Sequence, residues 1–452
     1  MLEPGRIAAP TTRSLSALGW DTLTRADPDL GTLLDAEARY QADSLSMVAS
    51  ASAAPPSVLC AHGTVLSNVT AEGYPGARYH PGAAQFDAIE RLAVSRARRV
   101  FGARYANVQP HSCSSANLAV LGALLPRGGR VLALGLDAGG HLTHGATASV
   151  SGKYYDVAHY GVAPDGTLDY GAVLDRALAH RPHVVIAGAS AYPRRLDFAR
   201  FRAVADRVGA CLIADISHIA GLVAAGLHPS PIDHAHITTT STYKQLAGPR
   251  GGLILLGEDH RRTAPDNRTE LRKLMQSAVF PGFQGTPDAS AIAAKARALA
   301  IASTESFRAT MGRVVANART LADELATLGY KVLTGGTDNH MVLVDIRPAG
   351  LTGVVAERAL EECGILVNRN KIPGDALPPS VSGGLRFGTN ILAQRGMSPS
   401  QVRACAGVVH DVLRGVTALG TTRYALDPAT RDAARARVDA LCARFPLRSD
   451  DA

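Results

Sequence analysis

The sequence predicts an α/β fold, in which a mostly parallel β-sheet carries helices on both faces and a smaller α+β region follows. From residue 86, helical patterns alternate with short apolar runs over roughly 200 residues, as expected for parallel strands joined by crossover helices. After about residue 290, a long helical pattern leads into a second set of apolar runs. The length of 452 residues exceeds one ordinary hydrophobic core and favours two packed domains.

The periodicity of apolar residues assigns the elements in order. Helical spacing predicts helices over residues 85–102, 170–180, 198–209 and 291–329. Short apolar runs predict strands over residues 130–136, 183–190, 211–218 and 251–257 and, in the C-terminal part, over 340–347, 365–370 and 385–389. Open α/β sheets bind ligands at the carboxyl ends of their strands, so the residues that follow these strands are candidates for a site.

Composition excludes several classes of protein. A hydrophobic fraction of 46% and a charged fraction of 19% are typical of a globular chain and not of a disordered one. No apolar run reaches the roughly 20 residues that span a bilayer, and the first residues do not resemble a signal peptide, so we expect a cytoplasmic protein without membrane contact. The net charge of +8 comes from dispersed arginines, which indicates a solvated surface and no nucleic-acid binding. The cysteines lack metal-site or disulfide spacing, which favours free thiols: Cys60, Cys113, Cys211, Cys363, Cys405 and Cys442.

Two loops carry small or hydroxylic residues of the kind that surround ligands. Residues 111–117 (HSCSSAN) begin a helix, and a helix N-terminus binds an anion through its free N–H groups. The alternative is that Ser112 or Ser114 merely caps the helix. Residues 137–145 (DAGGHLTHG) place two histidines among glycines that let the backbone approach a ligand, although paired loop histidines are often incidental.

Two charged residues follow other apolar runs. Asp215 ends the run CLIAD, with His218 three residues on, and a carboxylate there needs a cation or a helix to cap. Lys244 lies in a hydroxyl-rich run after a strand, where a lysine is either at the surface or desolvated and ready to form an imine with an aldehyde. An anion site, a histidine ring, a carboxylate and a lysine together make up a site for pyridoxal 5'-phosphate (PLP). Metal binding is the alternative, but no helix carries metal-ligand spacing, and we expect no metal.

With these motifs, the chain resembles the serine hydroxymethyltransferases, which are fold-type-I PLP enzymes. The resemblance runs from about residue 26 to 446. It implies a mostly parallel seven-stranded sheet with flanking helices and a smaller α+β C-terminal domain. The implied domains are an N-terminal arm (1–55), a large PLP-binding domain (56–310) and a small domain (311–452), in a homodimer, alone or paired into a tetramer, with shared active sites. The motifs that carry the resemblance include AEGYPGARY, YANVQPHS, GGHLTHG, SGKYYDVAHYGV, HIAGLVAAGLHPSP, GPRGGLIL, SAVFPGFQG and GGTDNHMVLVD.

The resemblance assigns the cofactor site residue by residue. Lys244 would carry PLP as a Schiff base, and Asp215 would pair with the pyridinium nitrogen. His141 would stack on the ring, with Ser190 and His218 near its phenolic oxygen. The phosphate would be held by Cys113, by Ser114 and, from the neighbouring subunit, by Gly285.

The same resemblance assigns contacts to a small amino-acid substrate and to tetrahydrofolate, the implied co-substrate. Arg386 would clamp the substrate carboxylate with its planar guanidinium. Glu72 would act as the acid or base that faces the hydroxymethyl group and the folate. The remaining contacts would be Ser50 and Tyr79 to the substrate and Gly140, Leu142 and Asn370 to the pteridine.

The chain departs from the family pattern close to the expected substrate and cofactor. The tyrosine expected one residue before AEGYPG is Thr70, the second tyrosine of RYY is His80, and the histidine before the lysine is Tyr243. The scaffold motifs are kept, so a changed specificity explains the departures more simply than random drift. Three further departures are Cys113 for a glycine of the phosphate loop, Asn390 for the proline of GTP, and Ala51 in ASAS, where the family has ASEN.

Thr70 leads to the most specific expectation about function. Replacing a phenol by threonine opens a volume of ring size beside the reacting carbon, where a substrate with an extra α-methyl group would fit. We therefore expect an α-methylserine hydroxymethyltransferase, a branch of the family with threonine at this position that moves a one-carbon unit between D-alanine and α-methylserine. His80 would supply a base for D-alanine. The alternatives are a serine/glycine hydroxymethyltransferase and a folate-independent threonine-type aldolase or transaldolase.

Overall fold

A computed structural model of the chain describes residues 11–265 and 267–447. Helices and strands alternate along it. The helices of these residues are α1 (Thr12–Ala26), α2 (Pro28–Asp43), α3 (Pro56–His62), α4 (Ala84–Phe101), α5 (Cys113–Leu124), α6 (Val150–Tyr154), α7 (Tyr170–His180), α8 (Phe198–Val208), α9 (Ala220–Ala224), α10 (Leu271–Val279), α11 (Ala289–Ile301), α12 (Glu305–Thr327), α13 (Gly353–Glu362), α14 (Asn390–Gln394), α15 (Pro399–Arg414) and α16 (Pro428–Arg444). The strands are β1 (Leu45–Ser46), β2 (Gly73–Tyr74), β3 (Ala77–Arg78), β4 (Tyr105–Asn107), β5 (Arg130–Leu134), β6 (Asp156–Tyr160), β7 (Val184–Gly188), β8 (Cys211–Asp215), β9 (Ile237–Ser241), β10 (Gly252–Leu256), β11 (Lys331–Val332), β12 (Met341–Asp345), β13 (Ile365–Leu366), β14 (Asn368–Asn370), β15 (Gly384–Gly388), β16 (Val416–Ala418) and β17 (Tyr424–Leu426).

The central sheet has seven strands in the order β4-β10-β9-β8-β7-β5-β6. The strands from β9 to β6 run parallel to their neighbours, whereas β10 runs antiparallel to β9 and to β4. Alternate residues of these strands enter two separate hydrophobic clusters, because helices cover both faces of the sheet. The predicted fold class is confirmed, including the seven strands.

The predicted helix over residues 291–329 is wrong as a single element. The chain forms α11 and α12 instead, with a break at residues 302–304. The hydroxyl of Thr304 accepts a hydrogen bond from the backbone N–H of Phe307 at 3.2 Å and caps the start of α12. The apolar spacing continues across the break because α11 and the first half of α12 pack on the same hydrophobic cluster.

Two strand predictions also differ from the structure. The hydroxyl-rich run before Lys244 does not follow a strand but is itself strand β9. Its β-branched threonines suit a strand, and the buried hydroxyl of Thr239 donates a hydrogen bond to Asn117 Oδ1 at 2.6 Å. The predicted strand over residues 365–370 divides into β13 and β14, which pair in different sheets.

A smaller sheet, with strand order β11-β12-β15-β14, organises the C-terminal part of the chain. Its hydrophobic cluster includes Leu45 and Met47 from near the start of the chain, both fully buried. Strand β1 pairs in parallel with β13 and so ties this segment to the C-terminal part. The domain boundaries at residues 55 and 310 stay a prediction. In the part of the chain that the structure describes, every helix is too short or too polar to cross a bilayer.

Candidate active site

Asp215 lies at the carboxyl end of β8, at the centre of a buried hydrogen-bond network. Its Oδ1 accepts hydrogen bonds from the backbone N–H and the hydroxyl of Ser217, at 3.0 and 2.6 Å. Its Oδ2 accepts one from Asn117 Nδ2 at 2.8 Å and lies 3.0 Å from His144 Nε2. Burial by itself raises the pKa of a carboxyl, but the bonds from His144 and Ser217 outweigh it and hold the pKa of Asp215 well below its ordinary value. Asp215 is therefore a fixed negative charge.

Lys244 follows the neighbouring strand β9, and its side chain is buried within electrostatic range of Asp215. Its amine has no hydrogen-bond or ion-pair partner among residues 11–265 and 267–447. Burial lowers the pKa of Lys244 to about 8, although the Asp215 carboxylate opposes this shift. A buried, unpaired amine with such a pKa is available as a nucleophile near neutral pH, which suits imine formation.

His141 is oriented by the same network. Its Nδ1 accepts a hydrogen bond from the backbone N–H of Thr143 at 3.2 Å and lies 2.7 Å from the hydroxyl oxygen of that residue. Asn117 Nδ2 donates to this hydroxyl oxygen at 2.9 Å, which leaves the hydroxyl hydrogen of Thr143 for the imidazole. Burial lowers the pKa of His141 to about 4, so the ring is neutral near pH 7. Asn117 thus links the orientation of this ring to Asp215.

Metal binding is the alternative interpretation of these residues. Ligand atoms of His141, His144 and Asp215 lie within 4.8 Å of one another. However, Asp215 Oδ2 lies within hydrogen-bond distance of His144 Nε2, and the centroids of the two histidine rings are 5.5 Å apart. Hydrogen bonding within the network therefore accounts for the cluster.

The start of α5 forms the predicted anion site. Ser112 caps the helix, since its Oγ accepts from the backbone N–H of Ser115 at 3.0 Å and Ser115 Oγ accepts from the backbone N–H of Ser112 at 2.8 Å. Ser114 is instead exposed in the first turn. The backbone N–H groups of Cys113 and Ser114 remain for an anion. The Cys113 thiol lies 3.7 Å from Asp215 Oδ1, so the helix start and the carboxylate belong to one site.

Lys295, on α11, supports the backbone that leads into α5. Its side chain is fully buried, and its Nζ donates to the carbonyl oxygens of Val108, Pro110 and Gly252 at 2.7, 2.9 and 3.2 Å. Residue 252 must be glycine because a Cβ there would lie 2.5 Å from the carbonyl oxygen of Ser112. Strand β10 therefore packs directly beneath the anion site, with Lys295 joining the two.

Arg386 lies within β15 and reaches the main sheet. Its guanidinium donates to Asn368 Oδ1 at 3.1 Å and to the carbonyl oxygen of Ser190, two residues beyond β7. Burial lowers the pKa of Arg386 to about 10. Among the residues that the structure describes, no carboxylate pairs with it. Because a partly buried guanidinium without an acidic partner is unfavourable, this position suits an anionic ligand.

His218 is buried at the same edge of the sheet. Burial and the positive charge of Lys244 hold the pKa of His218 well below its ordinary value. Its ring stacks on that of His340, with centroids 5.7 Å apart and an interplanar angle of 19°. His340 Nε2 lies 3.1 Å from the carbonyl oxygen of Ala49. Ser50, the next residue, is thereby held in the same region as His218.

A second set of predicted site residues lies elsewhere, around the hairpin of β2 and β3. The Glu72 carbonyl oxygen accepts a hydrogen bond from the backbone N–H of Tyr79 at 3.1 Å. Tyr79 is 75% exposed, and its ring contacts the ring of Phe280, with centroids 5.6 Å apart. A Cβ at Gly285 would lie 3.1 Å from Glu72 Oε1. Glu72 and Gly285 are therefore neighbours within one chain.

Thr70 and His80 complete this set. Thr70 is exposed, and His80 is half-buried, with a buried Nδ1 that has no hydrogen-bond partner. Within the described residues, no hydrogen bond, ion pair or ring contact connects the set to Lys244, Asp215 or Arg386. We call the two sets the lysine group (His141, Asp215, His218, Lys244 and Arg386) and the surface group (Thr70, Glu72, Tyr79, His80 and Gly285).

The three predicted pteridine contacts lie on two elements. A Cβ at Gly140 would lie 2.0 Å from the carbonyl oxygen of Leu134, so the loop passes close to β5. Leu142 is 51% exposed next to His141. Asn370 ends β14 in the smaller sheet. The role of these residues in folate binding stays a prediction.

The lysine group and the start of α5 fit PLP. They combine an unpaired buried amine, an ionised buried carboxylate, a neutral imidazole ring and two free backbone N–H groups at one edge of the sheet. Lys244, Asp215, His141 and the N-terminus of α5 would hold the cofactor. Sequence reasoning gave no role to the residues that orient this set, which are Asn117, His144, Ser217, Lys295 and His340. Three of them, Asn117, His144 and His340, lie in motifs that the sequence analysis singled out.

Comparison with known proteins agrees with this site. A model of the serine hydroxymethyltransferase family matches residues 23–409. The chain is 47% identical to the serine hydroxymethyltransferase of Zymomonas mobilis over 437 residues. The matched region covers 96% of this chain and 99% of that protein. It is 48% identical to serine hydroxymethyltransferase 1 of Bordetella parapertussis (94% and 95% covered) and to the serine hydroxymethyltransferase of Kineococcus radiotolerans (97% of each). The chain therefore belongs to the serine hydroxymethyltransferase family, fold-type-I enzymes that depend on PLP and use tetrahydrofolate as co-substrate.

Proposed function

We propose that the chain transfers a one-carbon unit between serine and glycine, with tetrahydrofolate as the carrier. The observation that carries the proposal is an identity of 46–48% to proteins named serine hydroxymethyltransferase over nearly the whole chain. The expectation drawn from Thr70 was a different pair of substrate and product, D-alanine and α-methylserine. The comparisons support the serine/glycine alternative better than that pair.

The lysine group supplies the chemistry at the α-carbon. When bound, PLP provides an electron sink for the electron pair that the α-carbon releases. Asp215, whose pKa lies well below its ordinary value, would keep a proton on the ring nitrogen. Lys244 offers its amine for the covalent link, and Arg386 would bind the substrate carboxylate with a guanidinium that has no acidic partner among the described residues.

The surface group supports a homodimer with shared sites. Glu72, the proposed acid or base, has no contact with Lys244 in its own chain among the residues described. Beside it, Tyr79 and Phe283 are 75% and 47% exposed, an apolar surface of the kind that a partner covers. In a dimer, Glu72 of one subunit would serve the lysine group of the other.

We also propose a cytoplasmic location without nucleic-acid binding. The six cysteine side chains are free thiols in the structure, which supports a reducing compartment. Several arginines pair with acidic neighbours. Arg202, for example, lies 2.9 Å from Asp206 and 2.7 Å from Asp259, so its charge does not contribute to a basic patch.

A second candidate is the α-methylserine reaction, which one observation favours. Thr70 is exposed and makes no hydrogen bond among the described residues, at a position where the family has a tyrosine. A threonine is smaller than a tyrosine, so this position would leave room for an extra α-methyl group if it faces the substrate. His80, with its unpartnered Nδ1, is the candidate base for D-alanine in this reaction.

Exchange of the α-proton with solvent distinguishes the two reactions. Holoenzyme in D₂O is mixed with glycine, D-alanine or L-alanine, with and without tetrahydrofolate, and loss of the α-proton is followed by NMR. We expect glycine to exchange at least about tenfold faster than D-alanine, with acceleration by tetrahydrofolate. Thr70→Tyr should then leave glycine exchange nearly unchanged.

Faster exchange of D-alanine, abolished by Thr70→Tyr and kept by the matched control Thr70→Ser, would replace the proposal with the α-methylserine reaction. Exchange without any response to tetrahydrofolate, together with cleavage of threonine, would favour the folate-independent aldolase.

A further inference from the structure

The segment that contains Ser50 is held by the short helix α14. Asn390 Nδ2 donates to the carbonyl oxygens of Ala49 and Ala51, at 3.1 and 3.3 Å, and so grips the backbone on both sides of Ser50. One turn later, Gln394 Oε1 accepts from the backbone N–H of Ala53 at 3.0 Å, and its Nε2 donates to the carbonyl oxygen of Ala53 at 3.0 Å. We call this arrangement the α14 clamp.

The α14 clamp continues directly from the strand that carries Arg386. Strand β15 ends at Gly388, two residues before Asn390. The backbone N–H of Gly388 donates to the carbonyl oxygen of Met47 at 2.7 Å. A Cβ at Gly388 would lie 2.3 Å from Ala49 Cα, so the two backbones are in direct contact. The position of Ser50 relative to Arg386 is therefore set by this one continuous piece of chain.

The orientation of the Asn390 amide is determined by its surroundings. Both of its partners are carbonyl oxygens, so the donor atom Nδ2 must face them. The residue is 2% exposed, and its Oδ1 is buried without a hydrogen-bond partner. The two donated bonds are therefore the hydrogen bonds through which this buried amide acts on its surroundings.

Two departures from the family pattern meet at this point. Asn390 replaces the proline of GTP, and Ala51 replaces the glutamate of ASEN. Asn390 Nδ2 contacts the carbonyl oxygen of Ala51 itself. A proline has no side-chain donor, so neither of the two bonds from residue 390 would exist with the family residue.

We propose that Asn390 is a positioning residue for the amino-acid substrate: by holding the backbone on both sides of Ser50, it sets the distance between Ser50 and Arg386 and hence the affinity for the substrate carboxylate. This inference rests on the proposed function only in that an amino acid binds at Arg386. In this proposal Asn390 acts through the backbone of residues 49–51.

Asn390→Asp is the most direct test, because it keeps the shape and turns an oxygen toward both carbonyls. We expect the KM for the amino acid to rise roughly 10- to 100-fold, the value for two lost hydrogen bonds, with kcat and PLP affinity little changed. Asn390→Ala, which removes the bonds without repulsion, serves if the aspartate variant does not fold, and should show the lower end of this range. In a Ser50→Ala background, Asn390→Asp should raise the KM no further, because the residue acts through Ser50.

Asn317→Asp is the matched control. Asn317 is also fully buried, donates from Nδ2 to a carbonyl oxygen (Met397, 2.9 Å) and has an unpartnered Oδ1, but among the described residues it makes no hydrogen bond to the segment that contains Ser50. We expect this variant to lose stability without a selective change in KM. The inference is overturned if Asn390→Asp leaves the KM within about twofold of wild type. It is also overturned if KM, kcat and PLP affinity all change by similar factors, since a general loss of stability then explains the effect, as in the control.

The wild-type measurement tests the proposed function separately. Glycine, L-serine and D-alanine are each used as the probe, and the ratio of variant to wild type is taken for whichever amino acid the wild type accepts. If that is D-alanine alone, the serine/glycine proposal fails and the ratio still decides the role of Asn390. If the wild type accepts none of them, both proposals fail.

Discussion

Arg395, which is 2% exposed, joins the N-terminal helices to the C-terminal part of the chain. Its Nη2 donates to the carbonyl oxygens of Gln41, Ala42 and Ser44 at 3.0, 2.7 and 3.0 Å. Its Nη1 donates to the carbonyl oxygen of Phe445 at 2.9 Å. Helix α2 has no basic residue in its own last turn, and the last carbonyls of a helix lack intrahelical partners. Arg395 therefore caps α2 from a distant part of the sequence, and Arg395→Met should release that helix.

The structure allows the size of the effect to be worked out. A hydrogen bond with a charged donor contributes about 1.5–3 kcal/mol, and the two hydrogens of Nη2 are shared among three carbonyl oxygens, so the four contacts amount to three full bonds. The variant recovers part of this sum, because burial of the guanidinium, which lowers the pKa of Arg395, costs several kcal/mol. We expect a net loss of about 3–5 kcal/mol, which is the contribution of the hydrogen bonds less this cost of burial. At about 1.4 kcal/mol per tenfold change, the open population of α2 should rise roughly 100- to 4,000-fold.

Amide hydrogen exchange over residues 28–43 of the holoenzyme measures this opening directly. Arg403→Met is the control, because its guanidinium side chain is 60% exposed and its nearest acidic partner, Glu324, is 3.9 Å away. The control should change stability by less than about 0.5 kcal/mol. If protection of α2 in Arg395→Met stays within about threefold of wild type, the capping argument is refuted.

Two further predictions concern Lys295 and the sharing of sites. Burial lowers the pKa of Lys295 to about 7 from an ordinary 10.5. Between these two pH values the unfolded chain therefore binds more protons than the folded chain. The stability of the wild type relative to Lys295→Met should consequently rise as the pH increases from about 7 to 10. Urea unfolding at several pH values measures the difference, and a pH-independent difference contradicts the shift. If sites are shared, heterodimers of Lys244→Ala and Glu72→Gln chains should regain one working site of two, about half the wild-type activity per dimer. Purified heterodimers with no activity would mean that each chain uses its own Glu72.

The parts of the fold that sequence reasoning predicted depend on local patterns. Apolar runs of strand length between helical segments are sufficient to indicate a parallel sheet, and one of them places Asp215 at the carboxyl end of a strand. That Lys244 follows the neighbouring strand β9 came only from the structure. The start of α5 was predicted because a run of small hydroxylic residues such as Ser112 favours a helix N-terminus, and this pattern is local. The break before α12 was missed because the apolar spacing continues across it and only the cap at Thr304 marks it.

The candidate site was predicted in its reacting groups but not in the side chains that orient them. Asp215 was identified at the strand end, whereas His144 and Asn117, its partners, are 71 and 98 residues away in sequence. Likewise, nothing near Asn390 in sequence indicates that it contacts Ala49, 341 residues earlier.

The sequence by itself determined the fold class, several of the helices and strands, and the strand end that carries Asp215, and its motifs indicated the family. The helices and strands follow from periodicity and capping, which act over a few residues, whereas the family follows from the resemblance of its motifs. Only the tertiary structure decided which side chains pair with the reacting groups, how α14 holds Ser50, and that Glu72 has no contact with Lys244 among the residues described. Hydrogen bonding and burial depend on distances across the folded chain, and no short-range pattern in the sequence contains those distances.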